Sequence, residues 1–231
     1  MIYVTGDVHG DLSRFKNSSL RRLRDTDVVL VCGDFGFIWD GSRKEMSNLK
    51  KLSSLPFTIA FVDGCHENFD LLEQYPIEEW NGGKIHRISE NIVHLMRGQV
   101  FYIQGKKIFT FGGGQSQDAD IRRDANTWWQ HEIPSIAEIA EGVENLKKCN
   151  NEVDYIITHE PPLAIHNSFD FDFNLKLEFH TFFESISERC WFRTWYFGKF
   201  HTNKSIMQKY CALFDYIIAI DTDGSYDDDD I

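Results

Sequence analysis

The chain has 231 residues, enough for one substantial domain, and its 42% hydrophobic content is that of a globular protein. Its 24 Lys+Arg against 36 Asp+Glu leave a net charge of −12, which disfavours long nucleic acids as partners, since these need a basic footprint. No apolar run approaches a bilayer-spanning length, no signal-peptide pattern opens the chain, and the five cysteines (Cys32, Cys65, Cys149, Cys190 and Cys211) show no C-x-x-C spacing, so a cytoplasmic protein without membrane association is expected.

Strand and helix alternate over the first seventy residues. Residues 2–5 form a short apolar strand. Residues 11–23 predict a helix, with Leu12, Phe15, Leu20 and Leu23 on one stripe. The continuous apolar run 28–32 is the mark of a strand buried on both faces. Residues 42–55 predict a helix with Met46, Leu49 and Leu52 inward. A third strand follows at 57–62 and another helix begins over 68–74. This βαβαβ order predicts an α/β fold whose ligand-bearing loops lie at the carboxyl ends of strands.

Short strands are expected next, at 85–88, 92–95, 100–103 and 107–111, as hairpins of a second sheet with turns near Asn91 and Gly105. Residues 134–148 predict a helix with Pro at its start and Ile136, Ile139, Val143 and Leu146 on one face. A strand at 154–158, a helix over 173–190, and strands at 195–197 and 216–220 complete the pattern. One domain is therefore expected over 1–220. The last eleven residues carry six aspartates and predict a solvated, flexible acidic tail.

Five short motifs interrupt these elements: Gly6-Asp7-Val8-His9-Gly10, Gly33-Asp34-Phe35-Gly36, Gly64-Cys65-His66-Glu67-Asn68, Thr158-His159-Glu160-Pro161-Pro162 and Gly198-Lys199-Phe200-His201. Each sets a carboxylate or an imidazole beside a glycine or a proline turn. The Asp7 and His9 side chains, two residues apart in an extended turn, can converge on one ion. Hard oxygens mixed with imidazole suit divalent metals that work on phosphates. A lone D-x-H is a weak signal; five motifs in order, across nearly 200 residues and at strand ends, are a specific one.

The set resembles the calcineurin-like metallophosphoesterase family, whose motifs run D-x-H, G-D, G-N-H-[D/E], H and G-H-x-H. The resemblance covers residues 2–203. It implies two packed mixed β-sheets flanked by helices, the four-layer α/β (α+β) sandwich of that family. It implies one or two divalent metal ions, manganese first, with iron, zinc, nickel or magnesium as alternatives. Asp7, His9, Asp34 and His201 would form the first metal site, while Asp34, residue 65, His159 and residue 199 would form the second, Asp34 bridging the two. His66 would act as general acid and Glu67 would orient it. The implied activity is a phosphoesterase, hydrolysing a phosphomonoester or phosphodiester by in-line attack of a metal-bound hydroxide. The implied substrate is a phosphorylated small molecule or a nucleotide. A nuclease or nucleotide phosphodiesterase, and a degenerate non-catalytic member that binds metal or nucleotide, are the alternatives.

Two positions depart from the family pattern. Cys65 stands where an asparagine is usual; it either ligates a soft ion as thiolate or withdraws and leaves a water. Lys199 stands for the first histidine of the last pair. An ammonium has no lone pair to offer a metal, so it either sits by a phosphate oxygen or swings into solvent, and in both cases the second site is weakened. Around these, Arg122 could clamp a phosphate or lie exposed, the glycine-led stretch Gly112–Asp118 could be a turn or a substrate loop, and Trp128 and Trp129 could stack on a base or pack in the core. His86, His94, His131, His166 and His180 have no motif context and are expected to be structural.

Overall fold

In a computed structural model of the protein, residues 1–169 and 178–220 are described. The expected tail over 221–231 and residues 173–177 of the predicted helix lie outside them. Among the described residues thirteen strands and six α-helices follow in chain order: β1 Ile2–Thr5, β2 Val28–Cys32, α1 Arg43–Leu52, β3 Thr58–Val62, α2 Phe69–Leu72, β4 Ile77–Trp80, β5 Gly83–Arg87, β6 Ile92–Leu95, β7 Gln99–Ile103, β8 Lys106–Phe111, α3 Ala119–Asp124, α4 Ile136–Lys148, β9 Tyr155–Thr158, α5 Leu163–His166, α6 Glu178–Arg189, β10 Thr194–Phe197, β11 Lys204–Ile206, β12 Tyr210–Ala212 and β13 Ile217–Ile220.

The strands form two mixed sheets. A seven-stranded sheet has the order β13-β1-β2-β3-β6-β5-β4, and a six-stranded sheet the order β11-β12-β10-β9-β8-β7. Within them β1, β2, β3 and β6 run parallel, as do β12, β10, β9 and β8. Side-chain alternation along β2 builds the layers. Val28, Leu30 and Cys32 face one way, into a core shared with Phe101, Ile108, Tyr155, Ile157 and Tyr196 of the second sheet. Val29 and Val31 face the other way, onto Phe15, Leu49 and Leu52. Beyond the second sheet, Phe109, Phe111, Trp195 and Phe197 pack on α4 and α6 through Leu146, Phe179, Phe182 and Phe183. The layers are therefore helix, sheet, sheet, helix, as the resemblance implied.

Several local expectations are corrected. Residues 11–23 are not one helix but two short 3₁₀ turns, Arg14–Lys16 and Ser18–Leu20. Asp11 accepts from the Ser13 backbone, and Asn17, itself extended, accepts from Ser19, so short polar side chains compete with the helix ladder. Met46 and Ile136, expected inward, are exposed at the first turns of their helices, while Leu49, Leu52 and Leu146 are buried. Strands β5 and β6 belong to the first sheet, where β6 pairs with β3; the second sheet begins only at β7. The outer strand β4, Ile-Glu-Glu-Trp, escapes notice because it carries two glutamates and is mostly exposed, as suits an edge. It turns into β5 through Asn81 and Gly82, both at positive φ. No helix among the described residues is long and apolar enough to cross a membrane.

The histidines on β5 and β6, His86 and His94, contact each other. His86 stacks on His94 with ring centroids 5.2 Å apart and their Nδ1 atoms 2.9 Å apart, and His94 Nε2 meets Asp63 Oδ1 at 3.0 Å. Burial, reinforced by His94, pushes the His86 imidazole down to about 4. Between the ordinary histidine value and pH 4 the unfolded chain therefore binds a proton that the folded chain refuses. Stability is full at neutral pH, falls as the pH drops through that window and levels below it. Urea denaturation at pH 7.5 and pH 5 is expected to show a lower midpoint in acid, and His86→Gln should lose less of its midpoint over the same interval than the wild type.

Candidate functional site

The five motifs meet at one edge of the sandwich. Asp7 and His9 follow β1, Asp34 follows β2 and Cys65 and His66 follow β3, while His159 follows β9 and Lys199 and His201 follow β10. All five loops leave the carboxyl ends of parallel strands. The two sheets thus bring their ligand-bearing edges together, which no single sheet of this length would do.

The loops fit by close approach. A Cβ on Gly64 would strike the Asp34 carboxylate, one on Gly33 would strike the His159 ring, and one on Gly198 would strike the Asp7 carboxylate. Each of these three motif glycines thus makes room for the polar side chain of another motif. The chain also turns sharply as it enters the site. His9, Asp34, Lys199 and His201 have φ of 48°, 42°, 72° and 48°. Non-glycine residues adopt this left-handed region at a cost, and such residues cluster where surrounding packing holds side chains for function.

Asp7 and Asp34 are buried, and imidazoles surround them. His201 Nε2 lies 3.1 Å and His9 Nε2 3.9 Å from Asp7 Oδ2, and the two imidazole nitrogens are 2.9 Å apart. His159, fully buried, reaches Asp7 Oδ1 at 3.5 Å and Asp34 Oδ1 at 3.8 Å. His9 is 3.8 Å from Asp34 Oδ2, which also meets His66 Nδ1 at 2.9 Å. Burial alone would raise both aspartate pKa values; His159, seconded by hydrogen bonds from His201 to Asp7 and from His66 to Asp34, holds both below the carboxylate range instead. The same carboxylates raise His159 against its own burial. The Asp34 hydrogen bond, helped by Cys65, raises His66 to about 11.

These side chains form groups fit for a cation. Asp7, His9 and His201 offer ligand atoms within 4.8 Å of one another, as do Asp7, Asp34 and His159, and Asp34, Cys65 and His66. Carboxylate oxygen with imidazole nitrogen is a donor set that divalent transition ions accept. Its deep side is Asp7, Asp34 and His159; its outer side, His9 and His201, is open to solvent. Beside it lies a cavity of about 470 Å³ between His9, His66, Phe37, Trp39, Asp40 and Lys44.

Other expected residues are placed differently. Glu67 accepts from the Phe35 backbone N–H at 2.7 Å, and burial raises its pKa well above the usual carboxylate range. The carboxylates that meet His66 are instead Asp34 and, at 3.4 Å from Nε2, Asp118. Lys199 does not swing into solvent. Its side chain is 10% exposed, and its ammonium donates to the Gln115 carbonyl at 2.6 Å and to Cys65 Sγ at 3.3 Å while pairing with Glu160 Oε1 at 3.2 Å. Arg122 is neither exposed nor turned to the cavity. Its Nη1 donates to Cys65 O at 2.9 Å and to Glu132 Oε2 at 3.1 Å, and its Nε and Nη2 to Thr127 O.

Three more residues join this neighbourhood, of which Glu160 carried no expectation of a role. Glu160, fully buried, binds Lys199, the Gln115 N–H and His180 Nε2. It stands in a motif, and its position beside His159 was the available signal. Gln115 and Asp118 come from the glycine-rich loop after β8, whose composition alone left turn and ligand loop undecided.

The calcineurin-like phosphoesterase family model matches residues 1–184, a segment that holds four of the five motifs and stops before Gly198. None of the curated proteins matches the chain. Among solved structures, a candidate 5′-nucleotidase from Staphylococcus aureus, crystallised with alpha-ketoglutarate, aligns with TM-score 0.47 and 14% identity over 92% of this chain and 48% of its own. The chain thus spans about half the length of that protein. The phosphopantetheinyl hydrolase of Mycobacterium tuberculosis aligns with TM-score 0.40 and 11% identity over 92% of this chain and 89% of its own.

Breaking the buried Arg122–Glu132 pair strands a carboxylate in the interior. Arg122→Met is expected to lower the unfolding free energy by about 3–5 kcal/mol in urea titrations. A phosphate-clamping arginine at the surface would leave stability nearly unchanged.

Proposed function

This chain belongs to the calcineurin-like phosphoesterase family, and from that premise we propose that it is a manganese-dependent hydrolase of a small phosphorylated substrate, with a nucleotide as the substrate class. The convergence of Asp7, His9, Asp34, His159 and His201 from both sheets on one site carries this reading. Asp7, His9, Asp34 and His201 would hold the ion, and His159 lies within reach of both carboxylates. A bound divalent ion supplies Lewis acidity there, lowering the pKa of water and offsetting phosphate charge.

His66 supplies the proton. Its Nδ1 is tied to Asp34 Oδ2, which fixes the ring and leaves Nε2 at the wall of the cavity. The bond to Asp34 favours the protonated imidazole, whose Nε2 can pass a proton to a departing alkoxide oxygen. Asp118 accepts at the same nitrogen and steadies it.

The cavity supports a nucleotide in size and lining. About 470 Å³ falls within the range that takes a compact small molecule, and the half-buried Trp39 gives it an aromatic wall on which a base can rest. Lys44 and Asp40 add charge at the mouth. The net charge of −12 works against a polymer of phosphates. Five buried thiols without a disulfide support a reducing, cytoplasmic setting.

Purified protein with added manganese is expected to hydrolyse a chromogenic phosphomonoester or phosphodiester and to release phosphate from a mononucleotide; no turnover of any of the three with manganese bound would leave a non-catalytic binding protein instead. Asp34→Asn should abolish turnover and lower metal content in elemental analysis, since that carboxylate touches three of the imidazoles. His66→Ala should retain metal yet lose about 10²–10⁴-fold in turnover of alkyl esters, with a smaller loss for nitrophenyl esters, whose leaving group needs little protonation. Equal losses on both substrates would count against the acid.

A further inference from the structure

Lys199 and Cys65 are residues of the site that the mechanism leaves unused, and they touch each other. The Lys199 ammonium lies 3.3 Å from Cys65 Sγ, and that sulfur lies 3.5 Å from His159 Nε2, which in turn is 3.8 Å from Asp34 Oδ1. The ammonium is therefore seated among the side chains that would have to surround a second ion. It is also fixed there. Its N–H groups donate to a backbone carbonyl (Gln115) and to the Cys65 sulfur, and its charge is paired with the Glu160 carboxylate at 3.2 Å.

The far side of the ammonium is built to match. Glu160 is fully buried, and a buried carboxylate persists only when paired and hydrogen-bonded. Its Oε1 takes the Lys199 ammonium and the Gln115 N–H at 2.7 Å; its Oε2 takes His180 Nε2 at 2.8 Å. His180 is itself buried on α6. The lysine thus belongs to a constructed charge network running from α6 to Asp34, and is not a lone replacement at a motif position.

We propose that the Lys199 ammonium is a built-in substitute for a second metal ion, so that the protein holds one divalent ion, in the Asp7, His9, Asp34 and His201 group, beside a permanent protein-borne cation. This rests on the phosphoesterase reading and deepens it. An ammonium contributes a positive charge near Asp34 but no lone pair, and it repels a divalent ion entering beside it. Cys65 fits the same logic, since its sulfur accepts from the ammonium where an amide oxygen would face a hard ion. A charge held by covalent chain cannot be removed by chelators or exchanged for another metal.

The test is metal stoichiometry, read independently of activity. Full-length protein is stripped with chelator, loaded with manganese, desalted and examined by elemental analysis and electron paramagnetic resonance. About one manganese per chain is expected, with the hyperfine pattern of an isolated ion. Two per chain with an exchange-coupled signal would overturn the built-in cation and leave the phosphoesterase reading standing. No retained manganese would overturn the phosphoesterase reading and this inference with it. The double variant Cys65→Asn, Lys199→His is expected to bind a second manganese in isothermal titration, doubling the stoichiometry; a folded double variant that still binds one ion would count against the substitution. Should that variant fail to fold, the wild-type stoichiometry and spectrum still decide.

Discussion

Two carboxylates without access to bulk water dominate this molecule. Asp7 and Asp34 end adjacent parallel strands, and both are almost completely buried. Two like charges so placed cannot stay ionised without compensation, since the protein interior repays desolvation only through opposite charge and hydrogen bonds. Every nearby feature supplies that compensation. His159 sits between the two, His201 and His9 approach from outside, His66 bonds Asp34, and the Lys199 backbone N–H donates to both oxygens of Asp7. A cluster so rich in anionic oxygen and imidazole is a natural seat for a divalent cation.

That clustering explains the backbone as well as the side chains. Three motif glycines lack the methyl group that would strike a site residue of a different motif. Four non-glycine site residues sit in the left-handed region, a conformation that costs free energy wherever packing does not compel it. The compulsion comes from the apolar core. The face-to-face contact of the sheets through Leu30, Cys32, Tyr155, Ile157 and Tyr196 sets how closely the two sets of loops can meet. The stability of the core and the geometry of the site are thus coupled, and strain at the loops is held by burial a few ångströms below.

The departures from the family motif belong together on the same grounds. A lysine in place of a histidine at position 199 brings an unbalanced positive charge into a buried place. The Glu160 carboxylate, itself held by His180, balances it, and the Gln115 carbonyl and Cys65 sulfur accept hydrogen bonds from it. Any one of these residues alone would be destabilising, because a buried charge without its partner costs several kcal/mol in typical proteins (about 3–5).

Much of this was legible in the sequence. Period-two and continuous apolar runs marked β1, β2, β3, β8, β9 and β10, because a strand buried on both faces has few other ways to be composed. The motifs named Asp7, His9, Asp34, His66, His159 and His201, since the residue types that bind metal at a strand end are few. What the sequence could not decide were matters of direction and pairing. Residues 11–23 carried a helical stripe, yet Asp11 and Asn17 turned the backbone with their own side chains. Strands β5 and β6 read as the start of a second sheet, and only the pairing of β6 with β3 put them in the first. Arg122 could clamp or lie exposed until Glu132 and the carbonyls of Cys65 and Thr127 enclosed it. Lys199 could face solvent or the site until Glu160 and Gln115, some forty and eighty residues away, fixed its ammonium. Local composition determines which backbone a segment prefers and which chemistry it carries. Where a long side chain points depends on partners distant in the chain, and only the packing of one sheet on the other brings those partners within reach.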